Sequence, residues 1–170
     1  MKIFNQSIKI VLVAIIAVIA YSCLDTAEEP DNYSESDELA DINTYIISLK
    51  EDGHDVDTTE LGVYYVVQEE GEGETPIEGD LLSFEYTGYF MDGTAFDASS
   101  WHNEDGTYQI TYLVDRMVPG FEDGLALMNK GAEILMIIPS SLAYGPYDYN
   151  SIPGYSTLIF VVLMSEINPE

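Results

Sequence analysis

From residue 61 onward the apolar side chains fall mostly at every second position. Over 81–90, Leu82, Phe84 and Tyr86 alternate with Ser83, Glu85 and Thr87, the period of a strand with one face in a core and one in water. Residues 107–113 repeat the pattern with Tyr108, Ile110 and Tyr112. The stretches 62–69, 132–138 and 157–167 are rich in β-branched and apolar residues and also predict strands. Asp92-Gly93 supplies a hairpin turn ahead of 95–97, a Gly/Pro loop is expected over 71–80, and another loop over 139–156. One segment breaks the rhythm. In 118–131, Phe121, Leu125 and Met128 are spaced i, i+4, i+7, Pro119 suits a helix start, and Lys130-Gly131 suits its end. The economical arrangement is an α+β fold, an antiparallel sheet curled around that one short helix.

Ahead of the strands, 38–50 places Ile42, Tyr45, Ile46 and Leu49 at i, i+3, i+4 and i+7, predicting an amphipathic helix that stops near Asp52-Gly53. The polar stretch 53–60 follows. Its aspartates lack the spacing of a calcium loop, so a solvated connection is expected. If Leu158, Phe160 and Val162 face the central helix, then Ile159, Val161 and Leu163 face away, as do Leu135 and Ile137. The stripe of the 38–50 helix is expected to cover this outer face and form a second small core. A dimer interface is the rival explanation, and a monomer is the expectation.

The N-terminus has a different character. Lys2 and Lys9 precede an unbroken apolar run over 10–20, too short to span a bilayer as a helix and laid out as a signal peptide is. The single cysteine, Cys23, cannot form an internal disulfide; it is a free thiol or the end of Ala20-Tyr21-Ser22-Cys23, which resembles a bacterial lipobox. The second reading predicts cleavage before Cys23, lipidation there, and anchoring in a bacterial cell envelope, at the outer membrane facing periplasm or exterior. Residues 1–22 are then a lipoprotein signal peptide, 23–37 an acidic flexible tether, 38–60 the N-terminal helix and loop, and 61–170 the main domain. With 5 Lys+Arg against 31 Asp+Glu, the formal net charge is −26. Cleavage removes two of those five cations and no acid. Such a surface repels phosphate backbones and anionic headgroups, which excludes nucleic acid as a partner and leaves a lipid as the membrane attachment.

The remaining motifs carry a resemblance. Tyr86-Thr87-Gly88, Asp92-Gly93, Phe96-Asp97-Ala98-Ser99, Val118-Pro119-Gly120, Gly131, Leu142-Ala143-Tyr144-Gly145, Ile152-Pro153 and Thr157-Leu158-Ile159-Phe160 resemble the FKBP-type peptidyl-prolyl cis-trans isomerases over about residues 61–167. With the lipobox and the extra helix, the chain further resembles the membrane-anchored isomerases associated with bacterial gliding motility. The resemblance implies a five-stranded antiparallel half-barrel around the short helix, with a shallow aromatic pocket between them. Carried over by position, Tyr86, Asp97 and Tyr144 are the catalytic residues, and Phe96, Tyr108, Met117, Val118, Phe121, Ile152 and Phe160 bind substrate. No cofactor or metal is implied. The partners implied are proline-containing unfolded or folding polypeptides, and the role is assistance to the folding of exported proteins.

Two positions depart from the family pattern. Phe121 stands where tryptophan is usual at the pocket floor, which implies a deeper pocket without the indole N–H. Glu104 stands where many members place an arginine near the Asp97 equivalent; a negative neighbour there would raise the Asp97 pKa, and His102 is a possible substitute for the cation. These departures favour an alternative of another class, a non-catalytic proline-binding or chaperone module in an envelope complex. Taken singly, an aromatic on an alternating strand such as Tyr108 or Phe160 would simply fill the core.

Overall fold

The computed structural model describes residues 33–168. The signal-peptide segment, Cys23 and most of the tether lie outside the described residues. Helix α1 runs over Glu35–Glu51, three residues earlier than the pattern of 38–50 predicts. Ser34 caps it: the Ser34 N–H donates to Asp37 Oδ2 at 3.0 Å, and the acids of the first turn sit on the positive end of the helix dipole. Residues 35–37 therefore belong to the helix rather than to the tether.

The strands are β1 (Asp57–Thr58), β2 (Tyr64–Glu69), β3 (Leu81–Tyr89), β4 (Ala95–Ala98), β5 (Tyr108–Thr111), β6 (Glu133–Ile138) and β7 (Leu158–Ile167). A four-residue helix, α2 (Ser99–His102), follows β4, and α3 (Pro119–Leu125) precedes β6. The sheet order is β1-β2-β6-β7-β3-β4, with β5 also on β3, and every pairing is antiparallel. β5 pairs with the start of β3 and β4 with its end, so the two share one lane that α2 interrupts. The five lanes expected of the sheet are present, with β1 added at one edge. β1 arises in the stretch expected to be a solvated loop. Val56 is buried beside it, and Asp57 pairs with Tyr65.

Helix α3 is shorter than the segment 118–131 predicts. Pro119 occupies its first turn, but helical bonding ends at Leu125 and tightens into a turn through Leu127 N–H to Gly124 O and Met128 N–H to Leu125 O. The chain then joins the sheet, since Gly131 N–H donates to Met164 O and Met164 N–H to Ala132 O. The apolar stripe survives the change: Phe121, Leu125 and Met128 are all buried in one core with Leu82, Phe84, Ile134, Met136, Phe160 and Val162. Two glycines let α3 approach β6 closely. A Cβ at Gly120 would lie 2.3 Å from Ile138 Cγ2, and one at Gly124 would lie 2.4 Å from Met136 Sδ.

The outer sheet face is covered unevenly. Val66, Ile137 and Ile159 are buried, whereas Leu135, Val161 and Leu163 are half-buried. On α1, Ile42 is buried, Tyr45, Ile46 and Leu49 are half-buried, and Leu39 is exposed. Glu38, on the same helix face as Ile42, hydrogen-bonds Ser140 and Thr157 just outside the ends of β6 and β7. These bonds tie the first turn of α1 to the chain flanking β6 and β7.

Candidate active site

The site is built from strand residues whose alternation turns them toward α3. Tyr86 on β3 is buried and donates its hydroxyl to Asp97 Oδ2 at 2.9 Å. Asp97 Oδ1 accepts the N–H of Ala98 at 2.9 Å and lies 2.7 Å from His102 Nε2. His102 is therefore the basic group beside Asp97. Glu104 is exposed and takes no part in these bonds. The single turn of α2 brings His102 back beside Asp97.

Around the Tyr86–Asp97 pair the aromatic rings meet mainly edge to face, as their quadrupoles favour. Tyr86 contacts Tyr108 at 5.6 Å between centroids, Phe121 at 6.1 Å and Phe160 at 6.1 Å. Phe160 lies 4.9 Å from Phe121 and 5.5 Å from Phe96. Phe121 is 1% exposed, while Phe96 and Tyr108 are half-buried. Ile152 is buried in the same cluster, and Met117 and Val118 pack against it at the entrance to α3.

Burial is the main cause that raises the Tyr86 pKa above its usual value; the hydrogen bond to Asp97 and the Asp97 charge add to it. Tyr144 also titrates high, first through burial and then through the charges of Tyr149 and Asp97. The ring is 38% exposed and stacks on Tyr149 at 4.6 Å and 11°. Tyr149 is held there by a small ladder with Ile152, in which each N–H donates to the other's carbonyl at 2.8 and 2.9 Å. At the start of α3 the Val118 carbonyl accepts from Phe121 and Glu122, and its N–H finds no acceptor among the described residues.

Reasoning from sequence missed three supports of this site. Ser99 Oγ accepts the Tyr86 N–H at 3.0 Å and ties α2 to β3. Buried Glu122 accepts the Met117 N–H at 3.0 Å and meets Arg116 Nε at 3.3 Å, which fixes the approach to Val118. Tyr149 backs Tyr144. Ser99 and Glu122 lie inside segments already singled out, but only the folded chain shows what they bond. A separate groove of about 410 Å³, lined by Tyr33, Phe90, Met91, Pro153 and Tyr155 among others, lies beyond the β3–β4 hairpin and is not the aromatic site. No group of His, Cys, Asp and Glu among the described residues is disposed to hold a metal.

Known proteins resemble this chain over most of its described residues. The family model for FKBP-type peptidyl-prolyl cis-trans isomerase matches residues 72–165. The chain is 36% identical over 114 residues to the FKBP-type isomerase FkpA of Escherichia coli K12, covering 67% of this chain and 41% of the relative. It is 38% identical over 113 residues to the FKBP-type 22 kDa isomerase of the same strain, covering 66% and 53%. The chain thus spans only about half, or less, of the length of these curated relatives. The crystal structure of FkpA from Escherichia coli matches with a TM-score of 0.68 at 30% identity, over 97% of this chain and 73% of that one. An isomerase structure from Pseudomonas syringae, at 22% identity and TM-score 0.66, covers 81% of this chain and shares its fold.

Proposed function

The chain belongs to the FKBP-type peptidyl-prolyl cis-trans isomerase family, and we propose from that premise that it accelerates X-Pro isomerisation in polypeptides that are unfolded or still folding. The observation that carries the reading is the Tyr86–Asp97 hydrogen bond set among the rings of Phe96, Tyr108, Phe121 and Phe160.

An X-Pro bond turns over slowly because twisting the amide destroys its resonance. No covalent step is required; a catalyst need only bind the twisted amide better than the planar one. Tyr86, Phe96, Tyr108, Phe121 and Phe160 offer a dry, shaped seat for the prolyl ring. Removing water from the planar amide takes away hydrogen bonds that favour its dipolar, conjugated form. The Tyr144 hydroxyl and the Val118 N–H are fixed donors for substrate carbonyls and need no reorganisation as the amide twists. Asp97 holds the Tyr86 hydroxyl, and His102 holds Asp97. A refolding assay tests the reading. The full chain at catalytic concentration should speed the slow, proline-limited phase of a substrate protein and leave its fast phases unchanged; equal slow phases with and without the chain would reject it.

The cellular setting rests on the N-terminal sequence. Processing before Cys23, acylation of that residue, attachment to an envelope membrane and action on exported proteins follow from the run over 10–20 and from Ala20-Tyr21-Ser22-Cys23. Among the described residues no helix is long and apolar enough to cross a membrane. Mass spectrometry of the native N-terminus should find a diacylated or triacylated cysteine; an unprocessed Met1 would reject the anchor. Size-exclusion chromatography with light scattering should give one protomer, and a dimer mass would reject the monomer.

A further inference from the structure

Glu38 is a buried charge that the chemistry of the aromatic cup does not use. It lies in the first turn of α1, is 2% exposed, and accepts three hydrogen bonds from another part of the fold. Oε1 accepts the Ser140 N–H at 2.6 Å and the Thr157 hydroxyl at 2.7 Å, and Oε2 accepts the Ser140 hydroxyl at 2.6 Å. Ser140 and Thr157 are themselves buried and stand at the two ends of the long loop between β6 and β7. That loop carries Tyr144, Tyr149 and Ile152.

The bonds continue from Glu38 toward the site. The Ser140 carbonyl accepts the N–H groups of Ala143 and Gly145 at 2.9 and 2.8 Å, the residues on either side of Tyr144. The Gly145 carbonyl in turn accepts the Tyr155 N–H at 2.9 Å, joining the outgoing and returning arms. Apolar contacts alone would suffice to dock a helix on a sheet, and a buried carboxylate is costly unless several donors meet it. Here the donors come from both ends of one loop and converge on a single group. We propose that Glu38 is a positioning residue for the Tyr144 loop, so that α1 is part of the isomerase machinery rather than an appendage to it. The kinetic consequence rests on the isomerase reading above; the structural consequence does not.

The experiment uses the full chain and its Glu38→Ala, Glu38→Gln, Tyr144→Phe and Glu38→Ala/Tyr144→Phe variants, at a temperature where each is folded. In Glu38→Ala, kcat/KM for an X-Pro peptide should fall about tenfold. The double variant should be no slower than Tyr144→Phe alone, because both changes act through one group. Glu38→Gln should recover to within about threefold: its Oε1 still accepts from Ser140 and Thr157, and the Ser140 hydroxyl can turn to accept from Nε2. By NMR, Glu38→Ala should shift the Tyr144 ring signals and speed hydrogen exchange at the Ala143 and Gly145 amides, with the Tyr86 ring signals unmoved. Unchanged Tyr144 signals and exchange in folded Glu38→Ala, or losses that multiply in the double variant, would overturn the proposal. An inactive parent chain would reject the isomerase reading while the Tyr144 signals and amide exchange still decided the positioning role. Should Glu38→Ala fail to fold, Ser140→Ala and Thr157→Val each remove one donor, and the same NMR readouts apply.

Discussion

Replacing Gly88 with alanine tests the packing on which the site depends. Gly88 lies on β3 between Phe160 on β7 and Asp97 on β4, and the rings of Phe96 and Phe160 fold over it. An added Cβ would stand 2.7 Å from Phe96 Cζ and 2.8 Å from Phe160 Cε1. Carbon contacts settle at about 3.5–4.0 Å, so each ring must retreat by about 1 Å. Phe96 is half-buried and has room at the rim; Phe160 is wedged against Phe121 at 4.9 Å and transmits the push to that ring. Overpacking of this kind costs about 1–3 kcal/mol, and the loss of glycine's freedom in the unfolded chain returns about 0.4–1. The net expectation is a loss of about 1–2 kcal/mol, or about 3–8 °C in Tm for a domain of this size. Urea and thermal unfolding measure the stability, and titration with a proline-containing peptide measures the site. The peptide should bind several-fold more weakly, and a second change, Phe96→Leu, should restore most of the stability by yielding space. A Gly88→Ala chain as stable and as tight-binding as the parent would refute the packing argument.

Tyr86 gives a pH dependence. Its folded pKa lies above the ordinary value of 10.0, whereas an unfolded tyrosine ionises near about 10. The stability it contributes is therefore whole below about pH 10 and is lost as pH rises from there through the folded pKa. Tyr86→Phe should remove about 1.4 kcal/mol of the stability loss seen between pH 9 and 11, measured by urea unfolding at each pH; identical slopes would refute it. Glu122→Ala leaves the half-buried Met117 N–H without its acceptor, so unfolding should cost about 1 kcal/mol less and the Met117 and Val118 amides should exchange faster. Gly120→Ala drives a methyl into Ile138. It should lower stability by at least about 1 kcal/mol despite alanine's better helix propensity, as read by urea unfolding, and an unchanged midpoint would refute it.

The strands that form the inner walls were legible because their residues alternate cleanly: Leu82, Phe84 and Tyr86 on β3 and Tyr108 and Ile110 on β5 all face the core. The i, i+4, i+7 stripe of Phe121, Leu125 and Met128 correctly marked one buried face. It did not mark the end of α3, because a turn of i→i+3 bonds keeps Met128 on that face after the helix has stopped. β1 was hidden in a polar stretch, since a two-residue edge strand leaves its side chains in solvent and only Val56 beside it is buried. The single turn of α2 is what brings His102 back to Asp97, five residues along the chain. Glu38 carried a readable signal. It sits four residues before Ile42 on the apolar face of α1, and a carboxylate in such a stripe must find donors; which donors, a hundred residues away, only the fold decides.

The central claim is that this aromatic cup twists X-Pro amides, and exchange NMR on a short X-Pro peptide tests it most directly. Uncatalysed, cis and trans signals interconvert over tens of seconds and show no cross-peaks at sub-second mixing times. With the full chain at a few per cent of the peptide concentration, cross-peaks should appear, and they should weaken at least about tenfold with Asp97→Ala and with Tyr144→Phe. No cross-peaks with the parent chain, or equal cross-peaks with both variants, would contradict the account.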